Sequence, residues 1–245
     1  MMGALRRNLL KMLRRNGIDL RRASLHTDFT RRLACSLEAR GVDLVFDAGA
    51  NVGQYATGLL DAGFKGRIVS FEPLLQVREA LLAAASRYGD RWQVAPRMAL
   101  SESRDKAILH ITKNLASSSL LEISSDLARI ANEASEVGQI EVETRRLDEV
   151  VESLGLKFGR AFLKMDTQGS ELTILRGATG VLPGIVGLQV EMSCVALYDK
   201  QVLDDEIRAF ALKEGFELWD LNPEFRDPDT MRLLQYDAVF FRPQN

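Results

Sequence analysis

The sequence predicts an α/β protein: an open, Rossmann-like, seven-stranded sheet, mostly parallel, with helices on both faces and an antiparallel hairpin at its C-terminal edge. Three observations carry this. Val45 to Gly53 (VFDAGANVG) reads as a buried strand, a tight glycine turn and a helix entry. Short apolar runs then alternate with helical patterns over most of the 245 residues. The last two strands are joined by a polar, turn-rich link (NPEFRDPDTMR) rather than a crossover helix, so they pair antiparallel.

Taken in order, residues 31–40 form a short helix leading to the first strand, Leu44–Asp47. A helix from about Gly53 to Asp61 ends at Gly63, and strand two is Arg67–Phe71. Pro73 opens the helical run LLQVREALLAAASRYG, closed by Gly89, and strand three is Trp92–Ala99. Residues 104–146 break the alternation: strand KAILHIT, a serine-rich turn at Ser117–Ser119, helical SSDLARIANEA and strand QIEVETRRL form an excursion near the ligand edge. LDEVVESLG is helical, Arg160–Asp166 is strand four, SELTILRGA a helix, GIVGLQVEM strand five, and VLDDEIRAFALKEG a helix. FELWDL and Leu233–Arg242 complete the sheet. The expected division is a basic helical segment over residues 1–40 and one ligand-binding domain over 41–245.

Hydrophobic content of 46% and charged content of 27% fit a globular α/β domain of this length. No apolar run approaches the roughly 20 residues of a membrane span. Cys35 and Cys194 form no metal or redox motif, and the N-terminus lacks the apolar core of a secretory signal, so a cytoplasmic setting is expected. Residues 1–32 carry nine Lys or Arg against Asp19 and Asp28, a formal +7, while the remainder carries 23 basic against 32 acidic residues, −9. Leu5, Leu9, Met12 and Leu13 share a helical face with basic residues around them. This reads first as a helix packed on the main domain with a solvated charged face. Its second reading is contact with an anionic membrane surface, at the inner face, or with an acidic partner. The acidic remainder argues against nucleic-acid binding.

Glu72 ends the second strand, 19 residues after Gly53, where a carboxylate accepts hydrogen bonds from a ribose diol. A dinucleotide fingerprint needs G-x-G-x-x-G, whose glycines let a pyrophosphate approach. Here the pattern is D-x-G-x-x-x-G with no third glycine in register, which favours S-adenosylmethionine over a nicotinamide dinucleotide. An ordinary strand–helix turn capped by Asn51 is the plainer alternative.

In FDAGANVGQYA, FEP, RLDEV, KMDTQGSELTILRGA, QVEMS, the Leu197–Tyr198 pair and LLQYDAVFF, the chain from about residue 40 to 242 resembles the FkbM-type family of S-adenosylmethionine-dependent methyltransferases. The element Lys164-x-Asp166-x-x-Gly169-x-Glu171 is the most specific, and Ser170 is a mild departure. The resemblance implies a class I methyltransferase fold, whose sheet ends in the antiparallel pair expected here. It also implies methyl transfer to a hydroxyl of a sugar or of another natural-product or cell-surface precursor. N- or carboxyl-methylation, a nicotinamide-dependent oxidoreductase and a non-catalytic scaffold recruited through the basic N-terminus are the competing classes.

On this reading Asp47, Gly49, Ala50, Asn51 and Gly53 shape the pocket for the methionine end. Glu72, followed by Pro73, holds the ribose, and Met98, Ala99 and Leu100 flank the adenine. Asp166 and Glu191 end adjacent strands and are the candidate bases for a neutral alcohol. Lys164 shares a strand face with Asp166 and is expected to pair with an acid or hold the acceptor. Glu171 opens a helix, where capping and catalysis are equally open. No metal is expected; a divalent ion shared by Asp166 and Glu191 is the lesser reading. Tyr198, Trp219 and Phe225 are candidates for stacking on a sugar, or for core packing, and His110 on its alternating strand is more often packed than catalytic.

Overall fold

The computed structural model describes residues 11–13, 15–17 and 24–244. The face of the basic helix expected around Leu5 and Leu9 lies outside them. Among the described residues no helix is long and apolar enough to cross a membrane.

Helix α1 (Phe29–Ala39) starts where Asp28 accepts the Arg31 amide at 3.0 Å, two residues before the expected start, and buries Leu33, Ala34 and Leu37. Strands β1 (Leu44–Ala48) and β2 (Arg67–Phe71) follow, with helix α2 (Gln54–Asp61) between them and α3 (Leu75–Ser86) after. β1 is buried throughout because parallel neighbours flank it and helices cover both faces.

One expected strand is divided. β3 covers only Trp92–Val94, and Ala99–Leu100 (β4) joins a second sheet. Pro96 has no N–H to give a ladder, so the chain leaves the main sheet there. β4 pairs in parallel with β6 (Glu136–Arg145), which pairs antiparallel with β5 (Asp105–Thr112). Leu109, Ile111 and Val142 of this small sheet pack on Leu74 and Val77 at the start of α3. Helix α4 (Ser125–Ile130) lies between β5 and β6, capped by Ser124 accepting the Leu127 amide at 3.1 Å.

Helix α5 (Leu147–Ser153), β7 (Ala161–Met165), α6 (Glu171–Gly177), β8 (Ile185–Ser193), α7 (Asp204–Lys213), β9 (Glu217–Arg226) and β10 (Leu233–Phe241) complete the chain. The main sheet has the order β3-β2-β1-β7-β8-β10-β9. Every pairing from β3 to β8 is parallel, and β10 runs antiparallel to both β8 and β9. The expected hairpin is therefore present, with a shorter link. β9 runs on through Asn222–Arg226, where a connector was expected, because an outermost strand tolerates Pro223 and the register shifts around it. The remaining turn closes on Asp227, whose Oδ1 accepts the amides of Asp229 and Thr230.

The sheet separates two apolar layers. One holds α5, α6 and α7 through Leu147, Leu172, Leu175 and Ile207. The other holds α1, α2 and α3 through Leu37, Leu59 and Leu81. Strand order reverses between β1 and β7, and the crevice at the carboxyl ends of strands beside such a reversal is where open α/β sheets bind ligands.

Candidate active site

A cavity of about 370 Å³ opens at that crevice. Its position follows from the loop after β1. Gly49 has φ +75°, and a Cβ there would stand 1.8 Å from the Asp166 carbonyl oxygen. Only glycine lets the loop pass this close to the end of β7. The Gly49 and Ala50 amides both donate to the Phe71 carbonyl at 3.1 Å, folding the loop across the end of β2. Gly53 has φ +87°, and a Cβ there would meet the Trp92 ring at 2.5 Å.

Gly49 and Asn51 line the cavity, while Asp47, Ala50 and Gly53 stand behind it. Ala50 packs in the apolar layer with Trp92. Asp47 is fully buried, accepts the Ser70 hydroxyl at 2.8 Å, and lies 3.1 Å from Lys164 Nζ. The Trp92 indole N–H in turn donates to Ser70 Oγ at 2.9 Å.

Of the two parts expected of Lys164, pairing with an acid or holding the acceptor, the structure shows the first, with Asp47 as the nearer partner and Asp166 as the farther. Lys164 does not line the cavity: its ammonium points back under the loop, donating to the Gly49 carbonyl at 3.0 Å and the Ala48 carbonyl at 3.3 Å, with Asp166 Oδ2 at 3.6 Å. Burial would weaken its hold on a proton, but Asp47 and Asp166 outweigh this and keep it charged well above the ordinary lysine range. The side chain reaches the loop because β1 and β7 pair with Asp47 opposite Lys164.

At one end of the cavity Glu72 Oε2 accepts the Asn51 amide and Oε1 the Leu74 amide, both at 2.8 Å. Burial raises its carboxyl above the usual range, and these two amides pull it back. Each oxygen keeps a lone pair for a hydroxyl. Pro73 lines the wall beside it. Met98, Ala99 and Leu100 line an apolar stretch, joined by Leu109 and Leu115 from the excursion.

At the other end stand Asp166 and Glu191. Gln168 Nε2 lies 3.1 Å from Asp166 Oδ1 and 2.7 Å from Glu191 Oε2, and Gln235 Nε2 donates to the same Glu191 oxygen at 2.9 Å. Glu191 is pushed well above the usual carboxylate range by burial, then by Asp166, Glu171 and Asp237. Asp237, opposite Glu191 in the β8–β10 register, is pushed up to about 7 by burial, Asp166 and Glu224. Glu224 and Phe225 of β9 line this end. Glu171 is a cap: its carboxylate accepts the amides of Thr167 and Gly169 and the Thr167 hydroxyl, which fixes the loop after β7.

Tyr198 lines the cavity, with its hydroxyl 2.9 Å from both the Ser117 carbonyl and Gln168 Oε1. Trp219 does not; it packs edge-on to Phe241 under the Arg40 guanidinium. His110 is paired with Glu136 at 2.8 Å and lies outside the cavity wall. Sequence reasoning missed Gln168 and Gln235. Gln168 sits inside the KMDTQGSE element, which was the available signal; nothing local marks Gln235.

A glycine loop at the order reversal, an acid closing the second strand and an antiparallel final pair together define a class I, S-adenosylmethionine-dependent methyltransferase. Residues 47–218 match the methyltransferase FkbM domain, so the chain belongs to the FkbM methyltransferase family, and its methyl donor is S-adenosylmethionine. It is 26% identical over 206 residues to the AMB antimetabolite synthetase AmbE of Pseudomonas aeruginosa; the match covers 71% of this chain and about a tenth (10%) of that protein's length. Among solved structures it is similar to the magnesium protoporphyrin IX methyltransferase of Synechocystis PCC 6803 with bound SAM (14% identity, 89% of this chain, 80% of that one, TM-score 0.46). It is also similar to an rRNA methylase of Streptococcus thermophilus (11% identity, 92% and 99%, TM-score 0.47).

Proposed function

We propose that this methyltransferase acts on a hydroxyl of an uncharged acceptor, a sugar or a glycosylated or natural-product precursor. The observation that supports this is the chemistry of the cavity wall. Its ionisable acids are Glu72, Asp166, Glu191 and Glu224, and among the described residues no Lys, Arg or His lines it. Amides and hydroxyls such as Gln54, Asn114, Ser117 and Gln235 make up the rest of its polar surface. Such a wall suits a polyol and gives a phosphate or carboxylate no cation to meet. A nucleic-acid backbone would fit it poorly for the same reason.

The bound donor supplies a methyl already activated on a sulfonium. The chain's part is to hold the acceptor oxygen in line, a positioning effect of about 7–11 kcal/mol. Glu72 and the Asn51 loop orient the donor end. Asp166, half-exposed and with Lys164 behind it, takes the hydroxyl proton. Glu191 accepts hydrogen bonds from Gln168 and Gln235 and orients the acceptor.

The test is transfer from methyl-labelled donor to a panel of neutral glycosides, amines, carboxylic acids and sugar phosphates, with the product position read by NMR. Label on a neutral glycoside oxygen is expected. Preferential labelling of an amine, a carboxylate or a phosphorylated sugar would overturn the reading.

A further inference from the structure

Gln168 holds a left-handed backbone, φ 58°, a strained conformation for a non-glycine residue. The surrounding structure fixes it. Ser119 Oγ donates to its carbonyl at 2.6 Å, and Glu171 holds both its neighbours, Thr167 and Gly169. The side chain that results is an amide placed between two carboxylates. Nε2 reaches Asp166 Oδ1 at 3.1 Å and Glu191 Oε2 at 2.7 Å, and Oε1 turns away to the Tyr198 hydroxyl at 2.9 Å.

We propose that Gln168 is the positioning residue of the Asp166–Glu191 pair: its amide stands between the two carboxyl groups so that they do not share a proton, and Tyr198 holds the far end of the amide. Two carboxylates at one site with no donor between them cannot both ionise, and one proton becomes common property of the pair. That proton would occupy a lone pair needed for the acceptor's own. The two amide hydrogens instead satisfy one oxygen on each side, Asp166 Oδ1 and Glu191 Oε2, while Asp166 Oδ2 faces the Lys164 ammonium at 3.6 Å. A flipped amide would turn its oxygen toward both carboxyl groups, whose lone pairs repel it, and the Tyr198 hydroxyl lies against the far end at 2.9 Å.

Other charged and titratable groups also face the pair: Lys164 on β7, Glu171 on α6, Glu224 on β9 and Asp237 on β10, with Tyr198 in the loop after β8. Those four charged groups stay in place in the variants below, so a changed titration reports the amide. The use assigned to the carboxylates rests on the methyl-transfer reading; the proton arrangement does not.

The experiment is a pH titration of the Asp166 and Glu191 carboxyl carbons by NMR in the full-length protein, with and without S-adenosylhomocysteine. Gln168→Leu is expected to move the two titrations in opposite directions by about one pH unit or more, as a shared proton requires. Tyr198→Phe, which leaves Gln168 and its backbone intact, is expected to move them in the same sense and less. If both variants titrate like wild type, the proposal is wrong. Where Gln168→Leu does not fold, Tyr198→Phe decides alone: a shift supports the proposal and an unchanged titration overturns it. Failure of the wild type to bind S-adenosylhomocysteine would strike the methyl-transfer reading, while the titrations without it still decide the role of Gln168.

Discussion

Lys164 and Asp47 form a buried ion pair, Nζ to Oδ1 at 3.1 Å, directly beneath the loop that borders the cavity. Neither side chain lines that cavity. The pair joins β1 to β7 at the point where strand order reverses, and the same ammonium holds the carbonyls of Ala48 and Gly49. It sets the loop's shape from behind.

Breaking the pair from one side leaves a buried charge uncompensated. Lys164→Met is expected to cost about 3–5 kcal/mol in denaturant unfolding and to weaken S-adenosylhomocysteine binding. Adding Asp47→Asn to it should recover part of that loss. A double variant less stable than Lys164→Met would show that the two groups are not coupled.

Gly49→Ala places a methyl 1.8 Å from a backbone oxygen that cannot rotate away. Loss of donor binding and a fall in melting temperature are expected. Gly63→Ala is the control: its φ is +103° but nothing lies within 4 Å, so only backbone strain of about 1 kcal/mol applies. Equal effects at the two glycines would remove the close approach as the reason for Gly49.

Glu72→Gln keeps the shape but loses charge assistance to a diol. Affinity for S-adenosylhomocysteine is expected to drop about tenfold, with stability lower by about 1–3 kcal/mol, because the Asn51 or Leu74 amide loses its acceptor although the burial that raises the Glu72 carboxyl is relieved. Calorimetric titration at neutral pH measures both ligand affinity and stoichiometry. Unchanged affinity would move the ribose site elsewhere.

Asp166→Asn should leave donor affinity within about twofold and slow methyl transfer by about 10²–10⁴. Glu191→Gln should also spare the donor, with a smaller loss of rate. Donor affinity that falls with either variant would place these carboxylates at the wrong end of the cavity.

The raised acids give stability a definite slope with pH. Asp237 holds its proton up to about 7 in the folded state and releases it at ordinary acid pH when unfolded. Between those values the folded protein binds more protons than the unfolded, so stability falls as pH rises from about 4 to 7. Glu191 adds in the same direction. Asp237→Asn is expected to flatten the decline in unfolding free energy across that window; an unchanged slope would assign it to other groups.

Local grammar was enough for much of the fold. β2 was legible to the residue because Arg67–Phe71 is a short apolar run between turns, and the final hairpin because no helix fits between its strands. The donor end was legible too, since the glycine loop and Glu72 carry a spacing set by one strand–helix–strand unit. What stayed hidden depends on contacts far apart in sequence. Trp92–Ala99 reads as one strand until the second sheet claims Ala99 and Leu100 for β6. Alternation puts Lys164 on the Asp166 face without saying that it bends back under the Gly49 loop, 115 residues away. Gln168 becomes a bridge only when Tyr198 and Glu191 come alongside.

The cavity's two ends have different standing in the sheet. The donor end is made by β1, β2 and the loop between them, deep among parallel neighbours. Glu224, Phe225 and Gln235 of the other end come from the last hairpin, beyond residue 218 where the family match stops, and β9 has a neighbour on one side alone. Glu224 and Phe225 stand on that outer strand, while Gln235 sits on β10, which is paired on both sides and buries Val239, Phe240 and Phe241 in the core. The outer strand therefore carries part of the far end as a replaceable edge: substitutions at Glu224 and Phe225 retune that end without reaching the loop that holds the methyl donor.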